Sequence, residues 1–264
     1  MQATIVALYG NKPDEMSALL TDCQNTVAEL LGSRFRKYDI EQIHGTVVGL
    51  ERDDREPQRF LNRNFRTRRD VQVQMDFDGL LRFLRDGGHV PFQLQIGGFQ
   101  DRDYPFVSRG TRPFNRCFSL QRKNIVLMGW PLRGMPLTDV PSSPTALVQE
   151  ARLYPLTLDT MRRGAQRYGV LHSYHAKPED MDNDFFFRIG MVDDPSSVAP
   201  SLKTCLHTTM RNALAALPPL VVNIELPDLH VVFYDSEELP LSGSIAYSLD
   251  DVNLDQDLVR SKFT

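Results

Sequence analysis

The first fifty residues constrain the fold most tightly. Residues 4–9 (TIVALY) are a short apolar run with β-branched members, as a buried strand requires. Pro13 then stands where a first helical turn favours proline. Met16, Leu19, Leu20, Cys23, Val27, Leu30 and Leu31 follow at helical spacing, and Gly32 closes the run. Residues 40–50 (IEQIHGTVVGL) read as a second strand. A strand, a helix and a strand in so short a span indicate an α/β or α+β lobe.

The rest of the chain continues in the same mixed pattern. Residues 51–70 are charged and irregular, an exposed loop or a polar helix, and a helix around 78–86 ends at Gly87 and Gly88. Residues 92–99 (FQLQIGGF) alternate like a strand. A long loop over 100–118 carries Arg102, Arg109, Arg112 and Arg116, and a strand over 124–130 follows. The Pro- and Ser-rich stretch 131–144 is the expected lobe boundary. A helical region over 143–168 is interrupted near Pro155, and His172 and His175 fall in a loop beyond it. A strand over 184–192, a helix over 200–217 and strands over 221–226 and 229–234 complete the pattern. About seven strands and four or five helices are expected in one bilobal domain over 1–250, with 251–264 as an acidic, peripheral tail.

The formal net charge of −4 conceals an uneven distribution: 24 of the 30 basic residues are Arg. Seven Arg fall between Arg52 and Arg69, whereas the stretch between Arg211 and Arg260 has no Arg or Lys and nine acidic residues. Arginine forks onto phosphate oxygens in a way lysine cannot, so a phosphate-bearing ligand held by the N-terminal half is one reading. A solvated Arg-rich surface is the other, and a DNA duplex is not an expected partner. Cys23, Cys117 and Cys205 are too far apart for a disulfide framework or a Cys-based zinc site, and reduced, buried thiols are expected. No run approaches a membrane span, and MQATIVALYGNKPDE lacks a basic leader, so a soluble cytoplasmic protein with no membrane partner is expected. Phosphate-loop, dinucleotide-binding, nucleophile-elbow and zinc-protease motifs are missing. His172 and His175 have ligand-like spacing but no supporting Cys or periodic carboxylates, so neither a metal nor a cofactor is expected.

His44 and Thr46 are the strongest chemical signal. Side chains alternate along a strand, so an imidazole and a hydroxyl two residues apart share one face: a proton-transfer group beside a donor to a phosphate oxygen. The order TIVALY, helix, HGTVVGLE resembles the opening of the 2H phosphoesterase superfamily, which includes RNA 2′-5′ ligase-like proteins and 2′,3′-cyclic nucleotide phosphodiesterases. FQLQIGGF, the Arg-bearing loop and NIVLMGW resemble its middle. HVVFYDSEELPLSGSIAY, with Ser236, a turn at 241–243 and Tyr247, resembles its final strand.

The resemblance implies an α+β, bilobal fold with two antiparallel sheets flanked by helices around a central cleft. It also implies metal-independent hydrolysis of a cyclic phosphate, a small cyclic nucleotide or an RNA end by two facing His-x-Thr/Ser motifs. His44 would be general acid or base and Thr46 a phosphate ligand. The second motif would fall in DFFFRIGMV, where Phe185 and Phe187, or Phe186 and Arg188, stand in its place according to register. His230 at a strand start, or His172 or His175 from their loop, are the candidate second histidines. Arg188 is a candidate phosphate clamp, making a non-catalytic nucleotide- or RNA-binding protein the alternative. Arg109, Arg112, Arg116 and Tyr104, together with the Arg cluster 59–69, are expected to rim the cleft. Phe65, Phe106 and Phe114 are placed, like Tyr104, to stack on bases or to anchor loops.

Overall fold

The apolar runs become ten strands that join edge to edge in one antiparallel sheet. The computed structural model describes residues 1–133 and 153–263. In chain order the main elements are β1 (Gln2–Ala7), α1 (Asp14–Leu31), β2 (Phe35–Lys37), β3 (Gly45–Gly49), α2 (Arg63–Arg69) and α3 (Phe77–Asp86). Then come β4 (Phe92–Ile96), α4 (Pro113–Arg116), β5 (Phe118–Gln121), β6 (Asn124–Leu132), α5 (Thr157–Ala165) and β7 (Phe185–Val192). The remainder is α6 (Pro200–Ala216), β8 (Leu220–Ile224), β9 (Leu229–Tyr234), β10 (Ser244–Ser248) and α7 (Gln256–Ser261). The strand order is β10-β9-β1-β3-β7-β6-β4-β8, with β2 added to β7 and β5 to β6. No described helix is long and apolar enough to cross a membrane.

A single sheet replaces the two that were expected, because β3 and β7 meet. They do so at one register pair, Gly45 with Phe187, so the two halves of the sheet join at a narrow seam. Glycine is required there: a Cβ on residue 45 would run into the ring of Phe185. The strand expected over 40–50 begins only at Gly45, since residues Ile40–Gln42 form a 3-10 turn. Of the expected lobe boundary, residues 131 and 132 end β6, an interior strand, and residues 134–144 lie outside the described residues.

Alternation along the strands gives the sheet two distinct faces near β1. Ile5, Ala7, Val231 and Phe233 enter the main core. Val6, Val232 and Tyr234 point the other way and form a separate cluster with Tyr9 and Leu239. α1 buries Met16, Leu20, Cys23, Val27 and Leu31, and packs on α6 and β7. Its one buried polar side chain, Gln24, donates from Nε2 to Tyr38 O at 2.7 Å and Ile189 O at 2.8 Å, so no amide hydrogen is wasted in the core.

The tail from 251, expected to be peripheral, is a structural element. Leu254, Val259 and Phe263 are buried, and the Phe263 ring contacts Phe60, Phe77 and Phe233. Arg85 fastens the approach by donating to the carbonyls of Leu249, Asp251 and Leu254 at 2.6, 3.0 and 2.8 Å. The acidic residues of the tail conceal the apolar ones spaced among them. Phe263→Ala is expected to cost about 3–5 kcal/mol of unfolding free energy in urea. Val252→Ala, at a 90% exposed position, should cost under about 0.5 kcal/mol.

Candidate functional site

His44 sits between the 3-10 turn and β3, and its partners fix its tautomer. Nδ1 lies 2.7 Å from Gln42 O, which can only accept, so Nδ1 carries the proton. Burial lowers its pKa to about 4 against the opposing Gln42 hydrogen bond, and the Arg188 and Lys12 charges add to the lowering. The ring is therefore neutral at pH 7, with the Nε2 lone pair as an acceptor. Tyr9 packs its ring edgewise on the imidazole, centroids 5.9 Å apart.

The register of the seam identifies what faces this histidine. Extending the Gly45–Phe187 pair by one residue sets Arg188 opposite His44, and by alternation Phe186 is on the same face as Thr46. Phe185 and Phe187 turn into the core instead. Lys12, in the loop after β1, is the other nearby cation. Its Nζ donates to Gly10 O at 3.0 Å and Glu41 O at 3.2 Å, and burial lowers its pKa to about 8 against the pull of Glu41. The site thus holds a neutral imidazole, a hydroxyl, a guanidinium and a partly desolvated ammonium.

His230 shares the face but not the position. Val6 of β1 pairs with Thr46 on one side and with His230 on the other. The two backbones therefore stand about 10 Å apart, at two strand spacings. His230 is level with Thr46, not His44, and its Nδ1 lies 3.3 Å from Asp228 O. His172 and His175 are not in this site either. They belong to a buried polar network at the end of the seam.

Arg162 of α5 is the centre of that network and is 1% exposed. Its Nε donates to Val47 O at 2.9 Å; Nη1 donates to Asp182 O at 2.9 Å and to Asp182 Oδ2 at 3.1 Å. Nη2 donates to Thr46 O at 2.8 Å and Asp184 O at 3.0 Å. All five N–H groups of the guanidinium are used, and β3 is tied to the start of β7. Asp182 also accepts from His172 Nε2 at 2.9 Å, while Asp159 accepts from His175 Nε2 at 3.0 Å and Arg163 Nε at 2.6 Å. Burial would raise the Asp182 carboxyl, but the His172 hydrogen bond and the Arg162 charge prevail and hold it well below the usual range. Burial and Arg162 together keep His172 neutral, its pKa lowered to about 4.

The expected Arg-lined rim is occupied by internal partners. Arg109 Nη2 reaches Asp182 at 3.3 Å, and its guanidinium lies 3.5 Å from the Tyr174 ring centroid. Arg116 donates to Asp184 at 3.2 Å, and Arg112 pairs with Asp103 at 2.9 Å and Asp101 at 3.4 Å. In the 59–69 cluster, Arg59 holds Glu56, Arg66 lies near Asp53 and Glu56, and Arg69 donates to His175 O and Ala176 O. Tyr104 and Phe106 pack with Phe99, and Phe106 also packs with Trp130, so these aromatics anchor their loop. Phe65 is buried in α2. Cys205 is exposed, unlike Cys23 and Cys117, because it lies on the outer side of α6. Lys12, Gln42 and Arg162 carried no signal in the sequence: the first two sit in turns, and an arginine on an amphipathic helix reads as solvent-facing. Among the described residues no group of His, Cys, Asp and Glu has the arrangement of a metal site.

No protein-family model and no curated protein matches the chain. Among solved structures it is similar to TT0787 of Thermus thermophilus, at 13% identity over 95% of this chain and 96% of that one, with a TM-score of 0.37.

The network and the histidines each generate a prediction. Arg162→Ala leaves Asp182 buried without its main countercharge and is expected to destabilise the protein by about 3–5 kcal/mol in denaturant unfolding. Arg109→Ala, at a partly exposed pair, should cost about 1 kcal/mol or less. The second prediction concerns pH. His44, His172 and His207 of α6, the last lowered by burial and by the Arg211 and Lys203 charges, titrate near 4 in the fold against 6.5 in the unfolded chain, so the unfolded state takes up protons first. Stability should fall as pH drops from 6.5 to 4, the histidine contribution levelling off below 4. A thermal unfolding series across that window checks it.

Proposed function

We propose that this chain binds a phosphate ester, a small nucleotide or an RNA end, on the His44–Thr46–Arg188 face, without the two-histidine turnover of the 2H phosphoesterases it resembles. The observation that carries this reading is the residue opposite His44: a guanidinium, not an imidazole. In-line displacement at phosphorus by that chemistry needs one group to take a proton from the attacking oxygen and another to return one to the leaving oxygen. A guanidinium serves as an anion fork, not a proton shuttle, and Phe186 carries no exchangeable proton. His230 stands two strands away from Thr46, with Val6 between them.

Binding is well provided for. Arg188 offers a fork to two phosphate oxygens, the Thr46 hydroxyl can donate to a third, and Lys12 adds charge in a setting that favours an anion. An arriving anion raises the His44 pKa, because a nearby negative charge favours the imidazolium. An active cyclic phosphodiesterase is the second reading, favoured by the intact His44–Thr46 pair and the unprotonated Nε2.

Calorimetric titration with a nucleoside 2′,3′-cyclic phosphate and with the matching 3′-phosphate separates the two. Saturable binding is expected, with Arg188→Ala weakening it about tenfold or more. The His44 imidazole, followed by NMR, should titrate well above 4 in the complex. Chromatography should find the cyclic ester intact. Hydrolysis that disappears in His44→Ala would establish the enzyme reading instead, and the lack of binding to either ester would refute both.

A further inference from the structure

Residues 235–243 connect β9 to β10, adjacent antiparallel strands that a two-residue turn can join. Here the connection folds back over the open face of the sheet and closes on the candidate site. Three consecutive carbonyls of this strap are held by three side chains from separate parts of the floor. Arg188 Nη1 donates to Glu237 O at 3.1 Å, Gln42 Nε2 to Glu238 O at 2.5 Å, and Tyr9 OH to Leu239 O at 3.1 Å. Arg36 of β2 grips both carboxylate oxygens of Glu238, at 3.0 Å each. Leu239 plugs the small cluster of Val6, Tyr9, Val232 and Tyr234.

The donors that hold the strap are those around His44. Arg188 stands opposite the imidazole, Gln42 accepts its Nδ1 proton, and Tyr9 packs on its ring. A row of carbonyl oxygens therefore occupies the place where the oxygens of an anionic ligand would be received. The strap is also poised for release. Leu239 adopts φ +51°, a left-handed conformation that a branched side chain disfavours, and the Arg36–Glu238 pair is partly exposed.

We propose that segment 235–243 is a built-in competitor for the phosphate site. Closed, it satisfies the site's donors with its own backbone. An anionic ester enters by displacing it and taking over Arg188. The inference rests on the phosphate-binding reading above. The ligand's apparent affinity then carries the cost of opening the strap, as for any site whose competent state is a fraction of the population.

Two variants and one protease test it, with inorganic phosphate and a nucleoside 2′,3′-cyclic phosphate as probes. Glu238→Gln removes the Arg36 clamp, and Leu239→Ala removes the apolar plug with no change of charge. Both should tighten binding of the cyclic ester, by about tenfold for a strap that is open a tenth as often as its loosened form. Arg188→Ala on the Glu238→Gln background should abolish the gain. In the wild type, either probe should speed cleavage after Glu237 by a glutamate-specific protease. If Leu239→Ala binds no more tightly and cleavage after Glu237 is unchanged by ligand, the strap is no competitor, while the binding reading stands. If neither the wild type nor either loosened variant, folded by circular dichroism, binds a probe, the binding reading fails and the inference with it.

Discussion

The guanidinium of Arg162 is the interaction on which the two halves of this sheet depend. β3 and β7 share only the Gly45–Phe187 pair, so their backbones on the far side of that pair lack each other as hydrogen-bond partners. Arg162 takes the place of the missing ladder with five bonds to Thr46, Val47, Asp182 and Asp184. A buried arginine is tolerable only because Asp182 is ionised beside it and every N–H is used. The same network explains two arginines of the 102–116 loop. Arg109 and Arg116 add positive charge at the edge of an acidic pair, Asp182 and Asp184, that one guanidinium alone does not neutralise.

The network also bears on the candidate site. The carbonyl of Thr46 is held by Arg162 while its side chain lies on the His44 face, so the position of one hydroxyl on that face is set by a charge cluster on the other side of its own peptide unit. The make-up of that face has a similar local origin. Phe185 and Phe187 are committed to the core, and their alternation leaves only Phe186 and Arg188 for the open face. What that face can do chemically is limited by two side chains.

Much of this was legible in the sequence wherever one residue class repeats with a period. α1, α3, α6, β1, β7 and β9 follow from spacing alone, and His44 and Thr46 stand out at the start of β3. The misses have physical reasons. β2 and β5 are only a few residues long, and β10 exposes Ile245 and Ala246, so none of the three shows a clear pattern. The register that chose Phe186 and Arg188 over Phe185 and Phe187 depends on a contact between residues far apart in the chain. Arg162 was invisible because burial of a charge is decided by its partners, and these come from β3 and from the segment leading into β7.

The position of β1 has a consequence for how the molecule assembles. Its two edges are paired with β3 and with β9, the latter more than two hundred residues further along the chain. During synthesis, β1 can pair with β3 early but holds an open edge of unpaired N–H and C=O groups until β9 emerges. An apolar strand with a waiting edge is a template for pairing with another chain. Sheets closed by such distant contacts form slowly. The nascent protein is therefore most vulnerable to aggregation in the interval before residues 229–234 arrive, and slow translation lengthens that exposure.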